Sequence, residues 1–89
     1  MKLTRTNQFK KDYKRAKKQR KDLTLLKGII QKLTTRERLS PKHNDHRLAG
    51  ALSSFRELHI QPDWLLIYQA QHNHLVLVRL GSHSELFKA

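Results

Sequence analysis

Cysteine is absent from the 89 residues, so no disulfide can brace the chain and no thiolate-ligated zinc site is available. Glycine (3) and proline (2) are scarce, and no repeat, low-complexity tract or Gly/Ser linker interrupts the sequence. The longest apolar run is Trp64-Leu65-Leu66-Ile67-Tyr68, whereas a bilayer span takes about 20 such residues. Met1-Lys2-Leu3-Thr4-Arg5-Thr6 leads into more charge with no apolar segment behind it, so no secretory signal is expected and a cytoplasmic location fits. A chain this short hides about 60–65% of its unfolded surface, which implies a small core and one domain over residues 1–89.

Acids are also few. Nineteen Lys/Arg face 7 Asp/Glu, a formal charge of +12. The imbalance is local. Residues 1–42 hold 15 basic side chains against Asp12, Asp22 and Glu37, a net of 15 − 3 = +12. Residues 43–89 hold four of each sign and all six histidines. One half is an electrostatic surface, and the other carries groups of the type that titrates near neutrality.

The hydrophobic periodicity changes at the same place. Thr6 or Asn7 can cap a helix in which Phe9, Tyr13 and Ala16 share one face. Asp22 can cap a second, with a stripe of Leu23, Leu26, Ile30 and Leu33 widened by Leu25 and Ile29. Gly28 inside that helix costs about 1 kcal/mol relative to alanine, which close helix packing would explain. From Thr35 to His46 the pattern stops, and Ser40-Pro41 marks a loop. Phe55 to Ile60 then alternates, with Leu58 and Ile60 on one face and Glu57 and His59 on the other. Pro62-Asp63 reads as a tight turn, Trp64 to Gln69 as a central strand apolar on both faces, and His72-Asn73-His74 as a hairpin turn. Leu75 to Leu80 forms another strand, ended by Gly81, and Ser82 to Phe87 forms a C-terminal turn. With a short first strand at Lys2 to Arg5, the order is β-α-α-β-β-β. This predicts an α+β fold: two N-terminal helices packed on one face of a small, mainly antiparallel twisted sheet.

Four constellations carry chemical meaning. The basic helices, with Lys10, Lys14, Lys17 and Lys18 off the apolar face, suit a polyphosphate such as RNA or the ribosome, and otherwise serve as a solvated face. His46, His59, Asp63 and His83, with Arg79, match what metal-free RNA cleavage requires. A base takes the ribose 2′-OH proton, an acid protonates the departing 5′-oxygen, and a cation steadies the pentacoordinate phosphorus. Imidazole, with an ordinary pKa of about 6.5, suits the first two tasks, and guanidinium suits the third. Any one of these histidines alone reads better as a surface or hydrogen-bonding residue. His43-x-x-His46 and His72-x-His74 match no strong zinc template, so no metal site and no cofactor are expected, and His43, His72 and His74 read as solvated loop residues. Phe87 either stacks on a splayed base or tucks back onto the core, while Trp64 and Tyr68 share strand parity and read as core.

Three segments resemble the YafQ branch of the RelE/ParE toxin superfamily. They are Asp45-His46-x-Leu48-x-Gly50, then Phe55-Arg56-Glu57-x-His59-Ile60-x-Pro62-Asp63-Trp64-Leu65-Leu66-Ile67-Tyr68, then Arg79-Leu80-Gly81-Ser82-His83-x-x-Leu86-Phe87. The resemblance implies a RelE-like fold and a type II toxin that cuts mRNA in the ribosomal A site. It implies 2′-OH attack without metal, leaving a 2′,3′-cyclic phosphate and a 5′-hydroxyl. It places His46, His59, Asp63 and His83 in the catalytic set, with Asp63, alone or with His59, on the base side and His83 as the acid, and it leaves the division of roles between His46 and His59 open. Arg79 falls at a phosphate contact and Phe87 at an mRNA-positioning aromatic. The implied partners are an antitoxin, mRNA and the ribosome, with operator DNA reached only through the antitoxin complex. Two rivals remain: a ParE-like gyrase inhibitor, which does not need the histidines, and a plain basic RNA- or ribosome-binding module.

Overall fold

The computed structural model describes residues 1–87. Strand β1 (Lys2–Arg5) is followed by helices α1 (Asn7–Lys18) and α2 (Leu23–Thr35). Thr6 caps α1: its Oγ1 accepts the Phe9 N–H at 3.0 Å and donates to the Val78 carbonyl at 2.8 Å, so one hydroxyl both starts the helix and fixes it to the sheet. Asp22 Oδ1 accepts the Leu25 N–H at 3.0 Å and starts α2. Phe9, Ala16, Leu26 and Ile29 are buried, while Tyr13, Leu23, Leu25, Ile30 and Leu33 pack partly buried around them. Close packing does not account for Gly28, since a Cβ there would meet nothing within 4 Å. Nothing in the structure explains this glycine.

The stretch in which the pattern stops contains a 3-10 turn (Pro41–His43) and the start of strand β2 (His46–Arg47), and a second 3-10 turn (Gly50–Leu52) follows before β3. Strands β3 (Arg56–Gln61), β4 (Trp64–Gln71) and β5 (His74–Gly81) form the body of the sheet. The C-terminal turn is a one-turn helix, α3 (His83–Leu86), closed by a capping box between Ser82 and Glu85. The strand order is β1-β5-β4-β3-β2, parallel between β1 and β5 and antiparallel elsewhere. The mixed sheet with helices on it is the predicted α+β architecture. Among the described residues no helix is long and apolar enough to cross a membrane.

Central strand β4 is buried from Trp64 to Tyr68. Trp64, Leu66 and Tyr68 join the core beneath the helices, with Leu58, Ile60, Leu75, Leu77 and Leu80. Leu65 and Ile67 alternate to the other face. There they lie in cross-strand rows, Leu65 opposite His59 and Gly81, and Ile67 opposite Glu57 and Arg79. These rows are the floor on which the polar residues of β3 and β5 stand. The register slips by one residue between His59 and Gln61, a bulge of the kind that re-aims side chains near functional sites.

Candidate active site

Asp63 stands in the β3–β4 turn, and His83 opens α3. They meet through two bonds: His83 donates its backbone N–H to Asp63 Oδ1 at 3.1 Å, and its ring Nδ1 lies 2.9 Å from the same oxygen. The backbone N–H first, and the ring second, hold the Asp63 carboxyl below the ordinary aspartate range. Both side chains remain open to solvent, at 67% and 52% exposure. The His59 ring stands edge-on to the His83 ring with centroids 5.6 Å apart, and the Phe87 ring lies 6.4 Å from His83. Phe87 is 43% exposed, so it does not close the core.

Glu57 joins the remaining histidine to this group. It is a buried carboxylate, with Oε1 3.5 Å from His59 Nε2 and 3.7 Å from His46 Nε2. His46 is oriented by the Asn44 carbonyl, 2.7 Å from its Nδ1. The preceding residue, Asp45, accepts from the Tyr68 hydroxyl at 2.7 Å and from Arg56 Nε at 3.2 Å, which anchors the His46 segment to the sheet. Burial, and then the bond to Asp45, push the Tyr68 hydroxyl pKa up, so it remains a donor. His43 is not solvated as expected. It is buried, with Nδ1 2.6 Å from the His59 carbonyl, and so fixes the strand under His59. His74 also leaves the turn. It lies on β5, with Nε2 2.6 Å from Thr4 Oγ1, and helps to pin the edge strand.

Arg79 is tied to a carboxylate of the helical layer. Its Nε and Nη2 reach Asp12 at 2.8 and 3.3 Å, and Asp12 also accepts the Leu80 N–H at 3.0 Å. Asp12 is fully buried. Burial pushes its pKa up, but the bonds from Arg79, Leu80 and Gln8 outweigh this and leave it lowered. A second tie sets α3. Arg15 Nη2 donates to the Leu80 carbonyl at 2.9 Å and its Nε lies 3.1 Å from Glu85, which accepts the Ser82 N–H at 2.8 Å. Gly81 lies beneath this crossing: a Cβ there would stand 2.7 Å from Arg15 Nη2 and 3.0 Å from Glu85 Oε1. The segment carrying His83 is thereby fastened to α1. Lys10, Lys14, Lys17 and Lys18 are exposed along α1.

The structure therefore gathers Asp63, His83, His59 and Phe87 directly, brings in His46 through Glu57, and leaves Arg79 on Asp12. The family model described as "Bacterial toxin of type II toxin-antitoxin system, YafQ" matches residues 1–88. This chain belongs to the YafQ family of mRNA interferase toxins. The mRNA interferase toxin YafQ of Escherichia coli (strain K12) is 36% identical over 83 residues, covering 92% of this chain and 90% of the relative. A metal-bound toxin from Helicobacter pylori superposes at a TM-score of 0.91 with 47% identity, over 98% of this chain and 99% of that one. The E. coli DinJ–YafQ toxin–antitoxin complex matches at 0.89 and 35%, over 96% and 94%. Membership of this family favours the nuclease over the gyrase inhibitor and the plain binding module.

Within this YafQ-family toxin, Glu57 is the site residue that sequence reasoning left out. The signal was present: residues i and i+2 of a strand share a face, so Glu57 had to accompany His59. Glu57, His59 and His83 each offer a ligand atom, all within 4.8 Å of one another, so these three could hold a transition-metal ion. His72 stays in its turn at positive φ (53°), exposed and apart from the cluster.

Proposed function

We propose that this toxin acts in the cytoplasm on ribosome-bound mRNA, cutting it by attack of a ribose 2′-oxygen on the adjacent phosphorus. The Asp63–His83 pair facing His59 supports this reading. His59 takes the 2′-OH proton, with Glu57 behind it to stabilise the imidazolium that forms. The 2′-oxygen bonds to phosphorus and the bond to the 5′-oxygen breaks. His83 protonates the departing oxygen from Nε2, because Asp63 occupies Nδ1 and fixes the ring. This is the orienting role a carboxylate plays behind any catalytic imidazole. The products are a 2′,3′-cyclic phosphate and a 5′-hydroxyl. His46 shares Glu57 and stands in reserve at the rim of the site. Arg79 presents the guanidinium edge that Asp12 leaves free to the phosphate, and Phe87 stacks on a neighbouring base. Lys10, Lys14, Lys17 and Lys18 supply salt-dependent attraction to rRNA. A cognate antitoxin silences the site, and operator DNA is reached only through that complex.

No step in this scheme uses a metal. An ion on Glu57, His59 and His83 would occupy the lone pairs that proton transfer needs. The decisive experiment is in vitro translation with a message carrying a single 2′-O-methyl group at a mapped cut site. Cutting there should vanish, resist EDTA without the modification, and be suppressed by added Cu2+, the tightest-binding divalent ion of the first row. His83→Ala should lose about 10²–10⁴-fold in rate, the usual contribution of a general acid. Cutting that survives 2′-O-methylation, or that EDTA abolishes, overturns the mechanism.

A further inference from the structure

A second polar cavity adjoins the catalytic cluster and has no part in the mechanism above. It has a volume of about 340 Å3 and is walled by Asp63, Gln61, Ser82, Glu85, Gln19 and Lys21. That is within the roughly 300–1,000 Å3 of small-ligand sites. His59, His83 and Phe87 contribute nothing to its wall. Helix α3 and its cap explain the division. Ser82 and Glu85 are three residues apart and line the cavity, whereas His83 and Phe87 are four apart and lie on the catalytic side. Asp63 borders both spaces.

We propose that this cavity receives one unpaired base of the message, the neighbour of the scissile linkage on the side away from Phe87, and reads its edge. The proposal rests on the nuclease reading and adds a specificity pocket to it. The wall chemistry suits a base better than a phosphate. The wall holds two carboxylates, Asp63 and Glu85, and one ammonium, Lys21, so even with Arg15 paired to Glu85 it offers an anion no excess of positive charge. Glu85 is already engaged by three donors: Oε1 accepts from Ser82 N–H, and Oε2 from Gln19 Nε2 at 3.2 Å and from Arg15. That leaves the Gln19 carbonyl as an acceptor. Lys21 stands 5.9 Å from the centroid of the Trp64 ring and brings a donor to the wall. Gln61 is exposed, follows the β3 bulge, and makes no side-chain hydrogen bond among the described residues. A free carboxamide offers a donor and an acceptor side by side, the pattern that pairs with a base edge. Single-stranded RNA is read in this way, by splaying bases onto stacking and hydrogen-bonding surfaces. A strand crossing Asp63 would rest one base on Phe87, present its linkage to His59 and His83, and drop the next base into the cavity.

The test maps cut ends on a randomised message in a ribosomal translation assay, using the full-length toxin. Gln61→Ala should weaken the nucleotide preference at the position beside the cut by about fivefold or more, the usual discrimination of a paired contact. Gln61→Glu retains the shape but replaces the donor with an acceptor, and should move the preference to a different base rather than flatten it. Lys21→Gln should raise KM more than it lowers kcat. A wild-type cut distribution in both Gln61 variants overturns the proposal, as does a uniform loss at every site. Asp63→Ala separates the two readings. If it cuts normally, the nuclease assignment fails. If it is inactive while the Gln61 variants keep the wild-type pattern, only the cavity assignment fails.

Discussion

The helical half and the sheet half of this toxin use charge in opposite ways. Residues 1–42 carry the whole net charge of +12, mostly on exposed lysines and arginines with no fixed partner geometry. Residues 43–89 are neutral overall, yet their ionisable groups meet at defined distances, as in the 2.9 Å Asp63–His83 pair. A diffuse cationic field attracts polyphosphate over a long range but positions nothing, whereas paired groups position atoms and contribute little attraction at a distance. Attraction and chemistry are thus divided between the halves, and they join where α1 reaches β5 and α3. The joint is made from the exceptions: Asp12 is an acid on the basic helix, and Arg79 a base on the neutral sheet.

Breaking that joint should produce the largest effect on stability. Asp12→Ala leaves Arg79 and the Leu80 N–H without their buried acceptor. Truncating one partner of a buried pair costs about 3–5 kcal/mol, and the lower end applies because Arg79 keeps 29% of its side chain exposed. Urea unfolding should show the loss as a lower midpoint, while Lys11→Ala on the same helix should move stability by less than about 0.5 kcal/mol. The pH dependence has a definite sign. The folded pKa of Asp12 is lowered, so its contribution is present above the unfolded value of about 3.9 and is lost as pH falls through the folded value. Equal midpoints for Asp12→Ala and wild type would show that the Asp12–Arg79 tie adds nothing to what holds the halves together.

Neutralising the attraction without touching the chemistry sharpens the contrast by a smaller amount. Replacing Lys10, Lys14, Lys17 and Lys18 with glutamine should reduce the slope of log affinity for ribosomes against log salt by about 0.7 for each lysine that meets phosphate. The deficit should fall on KM and shrink as salt is raised. A loss confined to kcat would mean that α1 contributes to the reaction itself and that the division of labour is wrong.

The same division governs how much could be read from the sequence. Helix faces, caps and strand alternation are local, so Thr6, Asp22, the Leu58/Ile60 face and the doubly buried β4 were all legible. Asp12 was not. It lies among lysines on a helix whose surface reads as solvated, and its partner is 67 residues away. His43 misled for a related reason, since its burial depends on a 3-10 turn that no periodicity announces. In the site, the motif residues were visible but their connections were not. Glu57 became a hub only when β2 paired with β3 and placed His46 directly opposite it. Arg79 lies on β5, as strand alternation predicts, but its guanidinium is committed to a buried acid that no short motif predicts.

The finest test concerns what holds the catalytic pair together, the backbone or the ring. Asp63 is exposed, so an ordinary surface carboxylate would titrate near 3.9. It lies lower, with the His83 backbone N–H as the first cause and the hydrogen bond and charge of the His83 imidazole behind it. Two substitutions separate these causes. His83→Ala removes the ring and keeps the N–H, whereas His83→Pro removes both. Proline is well tolerated here because residue 83 is the first residue of α3, where the N–H has no partner within the helix. Carboxyl carbon shifts followed by NMR through acid pH should therefore rank the Asp63 midpoint lowest in wild type, higher in His83→Ala and highest in His83→Pro. Because the folded value is the depressed one, the contact is complete above about pH 4 and fails only as pH falls through the lowered midpoint. The turn and α3 thus stay docked wherever a histidine could serve as acid. Were His83→Ala alone to return Asp63 to the ordinary range, the helix N-terminus would contribute nothing. Asp63 would then depend on the ring for its place, and the site would be held by the same groups that perform its chemistry.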